Sequence, residues 1–245
     1  MRVLVLCEGK SDAILISYLL ERTSGWKYSK GDPNFIIKDI DEIQDGSAYW
    51  SGRGGDLMMI CGVGGKENFG AFFSDKIFPP IKEYGKERSF DKLVYVVDRD
   101  NDSDADIVTK IKNDLNPLEF DMTLGVWESA TYTDSFNKIN SIEILGLVVP
   151  QEQEGALETA LLNALSQNPY NKNIVDKCKD FVDEIKPEAD IYITKPRLEL
   201  KAKLSCVFAI ISPQKVFSFI DNLIKSVNWE EYTYIKALFK ELIEL

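Results

Sequence analysis

The chain has 245 residues, of which 44% are hydrophobic and 28% are charged, a composition typical of a globular protein with one large domain, or one domain and an appended lobe. It contains no histidine, which excludes Ser-His-Asp and Cys-His catalysis and every histidine-ligated zinc site. The formal net charge of −11 argues against strong metal-free binding to nucleic acid, because such binding depends on neutralising phosphates.

The first predicted element is a buried strand over residues 2–7, followed by the polar turn EGKSD at residues 8–12 and an amphipathic helix. Glu8 therefore lies where a strand gives way to a helix. The letters GKS suggest a P-loop, but Leu4 replaces its leading glycine and Glu8 would repel phosphate, so we exclude this motif. Lys10 in the turn is a candidate for contact with nucleic acid.

Residues 23–55 are polar and rich in glycine, and we interpret them as an insertion or lid around a possible strand over residues 35–40. Residues 56–62 predict another buried strand. The glycine-rich turn after it carries Lys66 and leads into a helix. Such a turn can approach a phosphate that Lys66 helps to hold, or it can simply be a tight turn that needs positive φ; both interpretations stay open.

The most informative stretch is a short apolar strand over residues 93–97 that ends in five aspartates, Asp98 to Asp106 at alternate positions. Asp98 and Asp100 fall at the carboxyl end of this strand, where open α/β sheets bind their ligands. Two carboxylates about 4 Å apart repel by roughly 4 kcal/mol at an effective dielectric near 20. The aspartates therefore favour a hard cation, the alternative being that they spread into water.

Beyond the aspartates, residues 105–115 predict a helix, residues 122–128 and 142–149 predict strands, and a polar loop separates the two strands. Strands that alternate with helices predict an α/β fold with a mainly parallel sheet covered by helices on both faces. We place a boundary at Pro150, after which residues 151–245 predict a helical C-terminal region packed on the first 150 residues.

The C-terminal region shows apolar stripes that we assign to the core, one through Phe217 and one from Ile235 to Ile243. Glu154 and Glu158 are four residues apart and share a face if their helix begins early enough. The strip KPRLELKAK at residues 195–203 is locally basic. A solvated helix face explains it, and it is also the best candidate for contact with a phosphate backbone.

Four scattered cysteines without a C-x-x-C pair predict reduced thiols in a cytoplasmic protein. Glu8 interrupts the first apolar run, so we see no signal-peptide core. No apolar run reaches membrane length, and we expect no membrane association.

Two motifs together resemble the Toprim domain, VLVLCEG at residues 3–9 and VYVVDRD at residues 94–100. DnaG-type primases, topoisomerases, RecR-type repair proteins and OLD-family nucleases share this domain. Residues 63–69 are similar to a turn in OLD-type members. Residues 145–158 resemble a small stand-alone Toprim family that continues with a helical tail.

The resemblance implies Mg²⁺- or Mn²⁺-dependent phosphoryl transfer on DNA or RNA, most simply the hydrolysis of phosphodiester bonds by a nuclease. By that analogy Glu8, Asp98 and Asp100 are catalytic and hold the metal, and Asp12, Asp102 and Glu158 are secondary ligands for a second ion. From charge and position alone, Lys66, Arg197, Lys201 or Lys203 could stabilise charge on the transferring phosphoryl group, with Lys66 the catalytic candidate. Lys10, Lys66, Arg197, Lys201 and Lys203 could contact nucleic acid. No ATPase domain is recognisable, so a separate ATPase is a possible partner.

Other functions remain open. The main alternative is a Toprim-fold module that binds nucleic acid or protein and catalyses nothing; a haloacid-dehalogenase-type phosphatase is a lesser one, because it would leave Glu8 unexplained. An EF-hand is excluded, since Ser103 and Thr109 replace its glycine and glutamate. The catalytic hypothesis requires Glu8 to lie beside Asp98 and Asp100. A lysine or arginine that neutralises Glu8 would remove its basis.

Overall fold

A computed structural model describes residues 1–29 and 47–245, and seven strands in these ranges form one sheet. The strands are β1 (Arg2–Cys7), β2 (Lys27–Tyr28), β3 (Ser47–Arg53), β4 (Asp56–Gly62), β5 (Lys92–Asp98), β6 (Glu128–Thr133) and β7 (Ile139–Val149). Their order across the sheet is β2-β3-β4-β1-β5-β7-β6.

The four central strands, β4, β1, β5 and β7, are parallel to one another, while β2, β3 and β6 are added at the edges in antiparallel pairs. The central strands are the apolar runs predicted from the sequence, because a strand buried on both faces needs apolar residues throughout. The predicted strands over residues 2–7, 56–62, 93–97 and 142–149 are confirmed.

Helices cover both faces of the sheet, which confirms the α/β prediction. Along β1, Val3 and Val5 contribute to the core on one face, and Leu4 and Leu6 contribute to the core on the other. The first face is covered by α1 (Lys10–Ser24), α5 (Leu157–Ser166), α6 (Pro169–Ile185), α7 (Pro196–Ile211), α8 (Ile220–Ile224), α9 (Thr233–Leu238) and α10 (Lys240–Ile243). The second face is covered by α2 (Phe69–Phe72), α3 (Phe78–Tyr84) and α4 (Asp104–Asp114).

The region before β7 differs from the prediction. Residues 122–127 form a segment with a turn at residues 124–125 instead of a strand, and Glu128 is the first residue of β6. Met122 and Leu124 of this segment pack over Gly146 of β7. The predicted loop over residues 129–140 contains most of β6 and the first two residues of β7. In β6 the buried side chains alternate with threonine and serine, so the period of two is present although the strand is mostly polar.

The predicted insertion over residues 23–55 is partly accounted for by the end of α1 and by β2 and β3, which extend the sheet. The strand candidate over residues 35–40 lies outside the described residues. Glu154 precedes α5 and therefore does not share a helical face with Glu158. The assignment of Phe217 to the core is wrong, because its side chain is 100% exposed. The core positions predicted from Ile235 to Leu242 are buried in α9, in α10 and in the link between them.

None of the helices in the described part of the chain is long and apolar enough to cross a membrane.

Candidate acidic site at the sheet edge

Glu8 and Asp98, called here the acidic pair, meet at the carboxyl edge of the sheet. Parallel pairing of β1 with β5 brings the ends of the two strands together. The backbone N–H of Asp98 donates a hydrogen bond to Glu8 Oε1 at 3.0 Å. Both side chains are only 1% exposed. Two carboxylates so close together and so well buried need a counter-charge or a proton.

Arg197, in the first turn of α7, supplies that counter-charge. Its Nη1 donates to Glu8 Oε2 at 3.1 Å and its Nη2 donates to Asp98 Oδ2 at 3.0 Å. The fourth carboxylate oxygen, Asp98 Oδ1, accepts the N–H of Leu157 at the start of α5. The arginine side chain itself is 41% exposed, so it covers the acidic pair from the solvent side. Arg197, Glu8 and Asp98 together form the Arg197 cluster.

The pKa values of these groups respond to burial and to one another. Burial raises the pKa of Glu8, and Arg197 opposes that increase. Burial, followed by the charges of Asp12 and Glu8, raises the pKa of Asp98 well above its usual range. For Arg197, burial works to lower the pKa, but the carboxylates of Asp98 and Glu8 outweigh it and raise the value. The guanidinium is therefore permanently charged.

Asp12 and Glu158 add two more carboxylates near the acidic pair. Asp12 Oδ2 accepts the N–H of Gly9 at 3.0 Å and so caps α1. Burial, and then the charges of Glu8 and Glu158, raise the pKa of Asp12 to about 7. Glu158 Oε2 is buried and has no hydrogen-bond partner among the described residues. Arg197 interacts with Asp98, Glu8 and Glu158, and Asp12 interacts with Glu8 and Glu158, so four carboxyl groups lie near one guanidinium.

The other predicted aspartates belong to a second group, the Lys66 cluster. Lys66 Nζ donates to Asp102 Oδ2 at 2.6 Å, to Asp100 Oδ2 at 3.0 Å and to the carbonyl oxygen of Asp98 at 3.2 Å. Asp100 has a φ of 51°, and its backbone pairs with Gly155 in an antiparallel bridge. This turn directs the carboxylate of Asp100 to Lys66, so the acidic pair and Asp100 have different cationic partners.

The remaining predicted cations have separate roles. Lys10 lies 3.9 Å from Asp221, and Lys203 contacts Asp183 and Glu199 at 2.6 Å each. Lys201 is exposed and makes no ion pair within residues 1–29 and 47–245. Of the basic strip, therefore, Arg197 contacts the acidic pair, Lys203 is engaged elsewhere, and Lys201 is available for a ligand.

The residues as arranged do not fit Mg²⁺ or Mn²⁺. All four oxygens of the acidic pair already accept hydrogen bonds, and Lys66 occupies Asp100 and Asp102. Across the described ranges, no three cysteine, aspartate or glutamate side chains form a group that could hold a metal ion. By the criterion given in the sequence analysis, the contact between Arg197 and Glu8 removes the basis of the catalytic hypothesis in this conformation. Before the acidic pair can share an ion, Arg197 must move away.

Sequence reasoning missed the principal contact of the site. Arg197 was a candidate for phosphate binding, and nothing in its spacing indicates a carboxylate partner 189 residues away. The N–H of Leu157 and the bridge to Gly155 were missed for the same reason. The one local signal for these two contacts is that a helix begins at residues 155–158, because the N–H groups of the first turn of a helix have no acceptor within the helix.

Comparisons with known proteins cover almost the whole chain. No curated protein gives a significant match. Among solved structures, the crystal structure of hypothetical protein PH0156 from Pyrococcus horikoshii OT3 is similar, with 17% sequence identity and a TM-score of 0.52. The match covers 99% of this chain and 100% of the other, and at this identity it supports the fold alone. The family model described as "Protein of unknown function (DUF3226)" matches residues 2–242, so the chain belongs to that family.

Proposed function

We propose that the protein is a metal-dependent phosphoryl-transfer enzyme of the Toprim type, acting on nucleic acid as a nuclease. The observation that supports this proposal is the excess of carboxylates at one sheet edge. Glu8, Asp12, Asp98 and Glu158 interact with one another, and Arg197 donates hydrogen bonds to two of them, Glu8 and Asp98. Such an excess favours binding of an additional cation, and oxygen ligands suit Mg²⁺ or Mn²⁺.

The proposal carries a condition that the sequence did not suggest. Arg197 covers the acidic pair, so the described conformation is not ready to bind a metal, and the nuclease hypothesis in its sequence-derived form does not apply to it. A cation and the guanidinium compete for the same oxygens. The active state therefore requires Arg197 to be displaced, because two positive groups cannot occupy one place.

A Toprim-fold module without catalytic activity is the second candidate, and the Arg197 contacts favour it. An arginine that forms hydrogen bonds to both members of the acidic pair satisfies them without a metal. In such a protein the cluster would fix the position of α7 on the sheet, and the protein would bind nucleic acid or another protein through its surface.

Thermal unfolding in the presence of metal separates the two candidates. We expect millimolar Mn²⁺ or Mg²⁺ to raise the Tm of the wild type, because a ligand that binds only the native state stabilises it by about 2.7 kcal/mol at a hundred times its Kd. The double variant Asp98→Asn/Asp100→Asn should lose the shift. The variant Glu188→Gln/Asp190→Asn removes the same charge from exposed positions and serves as the control.

The variant Arg197→Gln tests whether Arg197 must leave the acidic pair before a metal can bind. Its metal-dependent shift should exceed that of the wild type, because the competing guanidinium is gone. If metal shifts neither protein, the enzyme proposal fails. If metal shifts both but labelled single- and double-stranded DNA and RNA stay intact with every variant, the non-catalytic module is the better description.

A further inference from the structure

A small, mostly apolar and partly open cavity lies next to the acidic pair, lined by the start of α1 and by α5, α7 and α8. Its volume is about 210 Å³. Ligand pockets for drug-sized molecules have volumes of roughly 300 to 1,000 Å³, so this cavity suits a smaller group, such as one planar ring system. Its apolar walls are formed by Leu157, Leu161, Leu204, Phe208, Leu223 and Ile224.

The cavity and the acidic pair share a wall. Leu157 lines the cavity, and its backbone N–H donates to Asp98 Oδ1 at 2.9 Å. Lys201 also lines the cavity and follows Arg197 by one turn of α7, so the two side chains lie on the same side of the helix. A ligand in the cavity would therefore reach the edge of the proposed phosphoryl-transfer site.

The lining of the cavity also contains polar groups. Ser11, Glu158, Lys201 and Ser205 are its polar lining residues. A mainly apolar lining with a few polar groups suits a flat heterocycle, whose faces are apolar and whose rim carries donors and acceptors. Lys201 forms no ion pair with a carboxylate of the described residues, and its positive charge suits an anion attached to that heterocycle.

We infer that this cavity binds a single nucleobase and that Lys201 binds the phosphate attached to it. The inference rests on the proposed function, since it describes how that site would hold a nucleotide of its substrate. It also identifies the substrate as one with an unpaired base, because a base that is paired and stacked within a duplex cannot enter a cavity between helices. The ligand class is thus a single strand, a strand end or an extruded nucleotide.

Binding of mononucleotides to the full chain tests the inference without metal. Saturation-transfer NMR in EDTA would use adenosine and cytidine 5′-monophosphates, with ribose 5-phosphate as the ligand that lacks a base. We expect both nucleotides to bind and ribose 5-phosphate to give no signal. The variant Ser205→Phe, which fills the mouth of the cavity from an exposed position, should weaken binding at least about tenfold, which corresponds to about 1.4 kcal/mol.

Matched variants separate the cavity from the rest of the surface. Ala209→Phe adds the same ring to an exposed position of α7 that does not line the cavity, and it should bind as the wild type does. Lys201→Gln should weaken nucleotide binding and leave binding of the free nucleoside unchanged. Lys177→Gln, an exposed lysine on α6, is its control.

The inference is overturned if the wild type binds neither nucleotide, if Ser205→Phe binds as well as the wild type, or if ribose 5-phosphate binds equally well. These outcomes are distinct from failure of the proposed function. Nucleotide binding without any metal-dependent change in Tm would support the cavity and reject the enzyme. A metal-dependent change without nucleotide binding would reject the cavity alone.

Discussion

The Arg197 cluster and the Lys66 cluster lie at the same sheet edge and contain the same chemistry, yet they differ in burial. In the first, the carboxylates are 1% exposed and the arginine 41%. In the second, the lysine is 18% exposed and both aspartates 43%. Charge pairing in the first cluster therefore offsets a large desolvation cost, whereas in the second cluster water already solvates the carboxylates. Aspartates two residues apart in the sequence are thus held for different physical reasons.

Removing the cation from the Arg197 cluster should give the largest effect on stability. We expect Arg197→Gln to lower the free energy of unfolding by about 2 to 3 kcal/mol at pH 7, because two buried carboxylates lose their partner. Breaking a fully buried ion pair costs about 3 to 5 kcal/mol, and the loss here is smaller because solvent reaches the arginine. Urea denaturation measures the change. Lys201→Gln on the same helix should stay within about 0.5 kcal/mol of the wild type. Equal stability of the two variants would show that the cluster is not a stabilising contact.

The pH dependence of stability should sharpen the comparison. The pKa of Asp12 is raised to about 7 in the folded chain, so between about pH 4 and pH 7 the folded state binds more protons than the unfolded state. The free energy of unfolding should therefore fall as the pH rises through this range, by about 1 to 2 kcal/mol from pH 5 to pH 7 for this group. The raised pKa values of Glu8 and Asp98 act in the same direction.

Asp12→Asn should reduce this slope, as measured by urea denaturation at pH 5, 6 and 7. Asp106→Asn is the control, because the pKa of Asp106 is lowered by the Ser103 hydroxyl and this group does not titrate above pH 5. A slope that Asp12→Asn leaves unchanged would mean that Asp12 is already ionised in the folded protein at pH 5.

The smallest effect should come from the Lys66 cluster. We expect Lys66→Met to lower the free energy of unfolding by about 0.5 to 1 kcal/mol, because its aspartate partners are partly exposed and solvent screens the pairs. Adding 0.5 M NaCl should reduce the difference from the wild type. Lys76→Met, a change at an exposed position ten residues further along the chain, should leave the free energy of unfolding unchanged. A loss as large as that of Arg197→Gln would contradict the distinction between the two clusters.

The parts of the fold that the sequence predicted are those that local patterns determine. The apolar strands at residues 2–7 and 93–97 could be placed at the centre of the sheet, and parallel pairing then brought Glu8 beside Asp98. The polar strand β6 was missed because its threonines and serines are equally typical of a loop.

The partners of the site residues could not be predicted. Arg197 and Asp98 are 99 residues apart, and only the packing of α7 on the sheet brings them together. The positive φ of Asp100 likewise depends on its bridge to Gly155 in a later segment. A pattern of charges identifies groups that need partners, but it does not tell which opposite charge the folded chain supplies.

The apolar layer beneath α1 has a practical consequence for shortening the chain. Val3, Val5 and Val94 in the sheet share that layer with Leu161 and Leu165 of α5, so both halves of the sequence build one interior. A fragment that stops at residue 150 would expose the valine and leucine side chains of this layer to water. Such a fragment should aggregate, and the sheet and its C-terminal helices are best expressed as one piece.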